Sequence, residues 1–151
     1  MDPRGKLAVV TGGNSGLGLG AARRLLADGA TVVCLDVAGE APAGAHFIAC
    51  DVSDPASVKG AVQQVVERHG PIHILLNNAG IGGTSPIATA EGPGDMTQFR
   101  RIIAVNLLGA AAVAAEVAHR MIGNDPVAPE GERGVIINTA LRSNRARQAA
   151  S

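Results

Sequence analysis

The stretch Leu7-Ala8-Val9-Val10-Thr11-Gly12-Gly13-Asn14-Ser15-Gly16-Leu17-Gly18 decides the fold. An apolar run, Leu7 to Val10, stops at Thr11-Gly12, glycines punctuate the turn that follows, and an amphipathic stretch runs from Leu17 to Ala27. That order reads as strand, turn, helix. Gly12, Gly16 and Gly18 let the chain turn sharply and let a ligand approach where no Cβ stands in the way. A helix starting near Ser15-Gly16 points free N–H groups and the positive end of its dipole into the turn, where a pyrophosphate is the natural guest. A second apolar run begins at Ala30 and ends in Asp36. That acid falls about 20 residues beyond the glycines, where a carboxylate accepts hydrogen bonds from the adenosine ribose. A plain βα turn that binds nothing is the alternative. Strand, glycines, helix and acid falling in place together favour a dinucleotide.

Outward from this unit the chain alternates. His46 to Asp51 is a short apolar run read as a strand. Ser53-Asp54-Pro55 is a helix start, with a capping side chain followed by proline in the first turn. Val58, Ala61, Val62, Val65 and Val66 recur at helical spacing up to His69, and Gly70-Pro71 ends that helix. Ile72 to Asn77 is nearly all apolar, as suits a strand covered on both faces. Residues 80–95 form a long loop, of a length that is usually functional or mobile. Asp95 caps a helical segment through Phe99, Ile102 and Ile103. Val105 to Ile122 is an Ala-rich helix broken by Gly123-Asn124-Asp125-Pro126, Val135 to Asn138 is the fifth strand, and residues 141–151 are polar and without periodicity. The pattern predicts an α/β, Rossmann-like, doubly wound parallel sheet of about five strands with helices on both faces. Its ligand belongs at the carboxyl ends of the strands. Those ends carry Thr11-Gly12, Asp36, Asp51, Asn77-Asn78 and Asn138-Thr139. Asx and Thr that merely cap turns are the plainer reading of these positions, and for Asp51 the two stand even.

Composition narrows the classes. With 151 residues, 46% hydrophobic and 17% charged, the chain suits one globular domain. Thirteen basic and thirteen acidic residues give a net charge of +0, so no basic field draws nucleic acid or an anionic membrane. No run is long and apolar enough to cross a bilayer, and Met1 to Lys6 is not a signal peptide. Cys34 and Cys50 each lie inside an apolar run and read as buried, reduced thiols of a cytoplasmic protein rather than a disulfide or metal pair. No metal is expected. A P-loop is excluded, because no Gly-Lys followed by Ser or Thr comes after the glycines.

These motifs resemble the short-chain dehydrogenase/reductase family. The match rests on Thr11-Gly12-Gly13-Asn14-Ser15-Gly16-Leu17-Gly18 (the family's TGxxxGxG), Asp51-Val52 and Asn77-Asn78-Ala79-Gly80 (its NNAG). It continues in Val105-Asn106-Leu107-Leu108-Gly109 and in Gly134-Val135-Ile136-Ile137-Asn138-Thr139-Ala140. It covers residues 5–140 and argues against a methyltransferase-like sheet. The stretch Gly131 to Ala140, after Asn124-Asp125-Pro126, is similar to the 3-hydroxyacyl-CoA dehydrogenase subgroup, which overlaps with hydroxysteroid dehydrogenases.

The resemblance implies roles. Gly12, Ser15, Gly16, Leu17 and Gly18 would hold the pyrophosphate side of the cofactor. Asp36 would take the ribose and repel a 2′-phosphate, so that NAD is favoured over NADP, with no Arg or Lys in the glycine turn or beside Asp36. Asp51 and Val52 would contact adenine, and Asn78, Ala79 and Gly80 would lie beside the cofactor. Asn106 would be the asparagine of the catalytic tetrad, supporting a water that relays protons to a lysine. The alternative for Asn106 is a helix-kinking polar residue with no partner. The family's substrates are small alcohols or ketones, and its members are homo-oligomers in which the helix at 106–122 packs on a partner subunit.

The sequence also departs from the family. Leu141 stands where a serine follows the Thr-Ala of the fifth strand, with Ser143 two residues late. There is no tyrosine, and lysine occurs only at Lys6 and Lys59, so the Tyr-x-x-x-Lys pair that does the acid/base work is missing. Codons such as CTC-CGT-AGC-AAT-CGA for Leu141-Arg142-Ser143-Asn144-Arg145, read one base later, would give Ser-Val-Ala-Ile followed by an acid, similar to the family's continuation. A frameshifted tail at 141–151 after a dinucleotide-binding region at 1–140 is therefore the expectation. So are an open edge at the fifth strand, an aggregation-prone product and weak NAD binding. A catalytically dead nucleotide-binding fragment and a non-functional remnant are the alternatives to an active NAD-dependent oxidoreductase.

Overall fold

Strand β1 (Leu7–Thr11) is the axis of the molecule, and all its residues are buried. The computed structural model describes residues 1–83, 86–127 and 131–140. The sequence-expected tail at 141–151, with Leu141 and Ser143, lies outside the described residues. On one side β1 pairs with β2 (Thr31–Asp36), which pairs in turn with β3 (His46–Ala49); on the other it pairs with β4 (Ile72–Asn77). The fifth strand of the sheet, Val135–Asn138, pairs with β4. All pairings are parallel, as expected from the βα alternation.

Helix α1 (Gly16–Ala27) covers one face and buries Gly18, Ala22 and Leu25 against Ala8, Val10, Val32 and Cys34. Helix α2 (Pro55–His69) lies on the other face. Asp54 caps it by accepting from the Ala56 N–H at 3.0 Å, Pro55 sits in its first turn, and Gly70 at φ 89° ends it. Its buried residues are Val58, Ala61, Val62 and Val65, the stripe the spacing predicts, with Val66 partly buried.

Three features differ from the sequence reading. The third strand stops at Ala49 rather than Asp51, because Asp51 and Ser53 form a turn closed by their own hydrogen bonds. The loop at 80–95 contains a small antiparallel hairpin of β5 (Ala88–Thr89) and β6 (Gly92–Pro93), with Thr84 and Ser85 outside the described residues. The largest difference is the helix.

Asp95 does act at the start of that helix: its carboxylate accepts from the Thr97 N–H at 2.9 Å and the Thr97 hydroxyl at 2.7 Å. The two helical segments read from the sequence are not separate. Helix α3 (Thr97–Ile103) runs through a π-helical segment (Ala104–Gly109) directly into α4 (Ala110–Ile122). The result is one 26-residue helix, Thr97–Ile122, long and apolar enough by length and composition to cross a membrane. This corrects the expectation that no such run exists; the π segment joins two pieces that each read as too short. Only 17% of its most apolar window is buried, so this helix shows much of its apolar surface to the outside. Its covered residues, Val113, Val117 and Met121, complete the core on the α2 face of the sheet. The last strand of the sheet, Val135–Asn138, is β7 in chain order. Its residues are partly buried or exposed, and among the described residues it pairs with β4 alone.

Candidate functional site: a cleft at the carboxyl ends of the strands

Register brings the polar strand ends to one rim. Thr11 lies opposite Leu35 on one side and Asn77 on the other, and Asn77 lies opposite Asn138. Side chains then cross-link the rim. The Thr11 hydroxyl oxygen accepts from the Asn78 and Ala79 N–H groups, both at 3.0 Å. The Asn77 side-chain amide donates to the Ala110 carbonyl at 3.0 Å and to Asn138 Oδ1 at 2.9 Å, and the Thr139 hydroxyl donates to Asn78 Oδ1. The glycine turn, the Asn77–Gly80 turn and the start of α4 are therefore one hydrogen-bonded unit, buried at Thr11 and Asn77.

A cleft of about 350 Å³ opens at this rim. Gly12, Ser15, Gly16, Leu17, Gly18, Asp36, Asp51, Val52, Asn78, Ala79 and Gly80 all line it. The structure thus gathers into one concavity every residue that the resemblance marks for cofactor contact, although they come from four separate loops. Asn106 stands apart, in a neighbouring cavity of about 130 Å³ that shares Leu17, Asn78, Ala79 and Gly80 with the cleft.

The glycines fit close packing and a close-lying guest. At Gly18 a Cβ would run into the Gly12 carbonyl, and at Gly12, with φ +64°, it would lie 3.0 Å from Ala79 Cα. At Gly16, with φ +51°, a Cβ would meet nothing within 4 Å, since that position faces open space. Ser15 precedes α1 without making a side-chain cap, so the first N–H groups of the helix are left for a partner. A turn of bare backbone, open space and unengaged helix N–H groups is chemistry suited to a phosphate. The residues present fit a dinucleotide.

Charge in the cleft is divided. Asp36 accepts from the Val37 N–H at 2.8 Å and the Asn14 N–H at 3.2 Å, which fixes its carboxylate and leaves lone pairs for hydroxyl donors. The Asp51 carboxyl is held below its ordinary range by the Ser53 hydroxyl at 2.7 Å, then by the Ser53 N–H at 2.9 Å; burial opposes this, and the Arg101 charge lowers it slightly further. Both thiols are held toward the protonated form. Burial, with a smaller contribution from Asp36, pushes Cys34 up to about 11, and burial raises Cys50 against a partial offset from Ser57.

The Asn106 side chain closes a two-bond clasp on the chain after Gly80. Its Oδ1 accepts from the Ile81 N–H at 2.8 Å and its Nδ2 donates to the Ile81 carbonyl at 2.9 Å. The reading of Asn106 as a polar residue without a partner is overturned. It sits inside the π-helical segment, a distortion frequent at functional sites. Sequence reasoning missed Arg101, which also lines the cleft and is the single cation among its lining residues. The signal was its position four residues before Val105, another lining residue on the same helical face.

A model of the family described as short chain dehydrogenase matches residues 6–149. The chain belongs to the short-chain dehydrogenase family. Bovine (Bos taurus) 3-hydroxyacyl-CoA dehydrogenase type-2 is 39% identical over 147 residues, spanning 91% of this chain and 56% of that protein. Short-chain dehydrogenase reductase 3c of Arabidopsis thaliana is 37% identical over 144 residues, spanning 89% and 52%. Among solved structures, ligand-free Thermoplasma acidophilum aldohexose dehydrogenase superposes with a TM-score of 0.76 at 32% identity, covering 91% of this chain and 49% of that one. The chain spans about half the length of the relatives it matches. Short-chain dehydrogenases are oxidoreductases that use nicotinamide cofactors and act on small molecules. The fold and the cleft agree with that membership.

Proposed function

We propose that this chain is the NAD-binding portion of a short-chain dehydrogenase that oxidises a secondary alcohol such as a 3-hydroxyacyl-CoA. One observation carries the reading: the glycine turn, Asp36, the Asp51–Val52 turn and the Asn78–Gly80 turn line one cleft at the strand ends. Gly12, Ser15, Gly16, Leu17 and Gly18 hold the pyrophosphate on the helix N-terminus. Asp36 accepts from the adenosine ribose, and a 2′-phosphate beside it meets like charge. Asp51 and Val52 bound the adenine, and Asn78, Ala79 and Gly80 border the path toward the nicotinamide. When bound, the cofactor supplies the hydride acceptor. Asn106 clasps Ile81 and so shapes the neighbouring cavity, where a small alcohol or ketone would lie.

The chain of 151 residues has no tyrosine, and its two lysines, Lys6 and Lys59, do not line the cleft. The cleft residues therefore bind the dinucleotide without moving the substrate proton, with residues 1–140 as the binding region. Buried, free Cys34 and Cys50 suit the reducing cytoplasm. The exposed apolar surface of Thr97–Ile122 suits a partner subunit, as in a homo-oligomer.

The test pairs two assays on the full chain. NADH fluorescence titration should show saturable binding, while NAD with 3-hydroxybutyryl-CoA should give no NADH absorbance above the uncatalysed rate. Absence of NADH binding would remove the cofactor reading. Turnover at ordinary enzymatic rates would remove the assignment of a binding portion without acid/base chemistry.

A further inference from the structure

We propose that Asn14 is a positioning residue for cofactor selectivity: it ties the glycine turn to the loop leaving β2, and so holds the Asp36 carboxylate where it accepts a ribose diol and rejects a 2′-phosphate. The inference rests on the dinucleotide reading and deepens it. Asn14 is not among the residues lining the cleft, so it acts through its neighbours.

Three contacts make the tie. The Asn14 backbone N–H donates to Asp36 Oδ2 at 3.2 Å. Its side-chain Nδ2 donates to the Ala38 carbonyl at 2.8 Å. Gly39 packs against the same amide: a Cβ built there would lie 3.4 Å from Nδ2, at a φ of +93°. Asp36 Oδ1 meanwhile accepts from the Val37 N–H at 2.8 Å. The carboxylate is thus gripped from its own strand end by Val37 and from across the β1–β2 gap by Asn14. The Asn14 side chain holds the Val37–Gly39 segment, and through it the angle at which Asp36 meets the cleft.

The amide is asymmetric in its satisfaction. Its Nδ2 is bonded, whereas its Oδ1 is enclosed with no hydrogen-bond partner among the described residues. An enclosed acceptor without a donor opposes folding. Asn14→Ala therefore removes one hydrogen bond and one unmatched acceptor together, and these effects offset each other in stability. The tether on the Asp36 loop is lost with no such offset. A side chain that served the fold alone would leave the selectivity unchanged.

The experiment is calorimetric titration of the full chain and its variants with NAD, NADP and nicotinamide mononucleotide, beside thermal denaturation. Asn14→Ala should lower the ratio of the NADP Kd to the NAD Kd by about fivefold, with affinity for nicotinamide mononucleotide and the unfolding midpoint nearly unchanged. Gly39→Ala strains the same tie from the loop side, leaves the glycine turn intact, and should move the ratio in the same direction; it carries the test if the alanine variant at position 14 does not fold. An unchanged ratio in the folded variants, with the unaltered chain still preferring NAD, overturns the proposal and leaves the dinucleotide reading standing. An unaltered chain that binds neither dinucleotide overturns both.

Discussion

Strands β1 and β7 read almost alike in sequence and end up in different environments. Leu7–Thr11 and Val135–Asn138 are both short apolar runs ending in a polar residue that serves the rim. Every residue of β1 is buried, between two strands and two helical layers. In β7, Val135 and Ile136 are partly covered, while Ile137 stays 51% exposed and the strand has one partner among the described residues. The strand pattern is local, but burial is a property of what lies beside the strand. The larger cleft draws on the turns after β1 and β2 in the well-packed half, together with the turns after β3 and β4, while the neighbouring cavity with Asn106 and Thr139 reaches β7.

Stability measurements can break or sharpen this contrast. The largest expected effect is at the packed half. Leu35→Ala removes a fully buried side chain from the core that includes Val9 and Leu75, and should cost about 2–5 kcal/mol by urea denaturation. Ile137→Ala on the open edge should cost less than about 1 kcal/mol. Equal losses would mean that β7 is as well covered in solution as β1.

A middle-sized effect separates the two threonines of the rim. Thr11→Val leaves the Asn78 and Ala79 N–H groups without their acceptor and should cost about 1–3 kcal/mol. Thr139→Val removes one exposed donor to Asn78 and should cost under about 1 kcal/mol. Equal losses from the two variants would count against the rim as a unit anchored on β1.

The smallest effect is in acid, and it distinguishes the two ends of the sheet. Burial lowers His69 first, followed by His46 and Arg68; its ring lies 4.3 Å from that of His46. His73 is lowered by burial and then by Lys6, and its Nδ1 accepts from the Leu7 N–H at 3.4 Å. Both histidines bind protons less readily folded than unfolded, so their contribution is lost as pH falls below the ordinary value of 6.5. Asp51, also lowered but a carboxylate, keeps its contribution until pH falls through its ordinary value of 3.8. The unfolding midpoint should therefore decline modestly from pH 7.5 to 5.5 at the histidine end, with the aspartate end responding only in stronger acid. Replacing His69 and His73 by Gln should flatten the first decline.

The parts of the fold written in local chemistry were legible. Gly12, Gly16 and Gly18 demand bare backbone, Asp54-Pro55 starts a helix, and a carboxylate at Asp36 ends a strand beside the glycine turn. The cleft followed because parallel strands put their carboxyl ends on one rim. What escaped reading depends on contacts between distant segments. The π-helical segment has no residue pattern of its own; it coincides with the clasp of Asn106 on Ile81 and the bond from Asn77 to Ala110. The continuity of the Thr97–Ile122 helix is not written locally, because nothing in the sequence around Ala104 tells whether two helical segments join or turn apart. Arg101 escaped because a charged residue on a helix reads as a solvated face until the helix is placed over the cleft.

The most direct test is isothermal titration of the full chain with NAD and with NADP under the same conditions. A carboxylate beside a 2′-phosphate predicts saturable heat with NAD and an affinity for NADP at least about tenfold weaker. Equal affinity for the two, or no saturable heat with NAD, would contradict an account in which Asp36 and the glycine turn form one dinucleotide cradle.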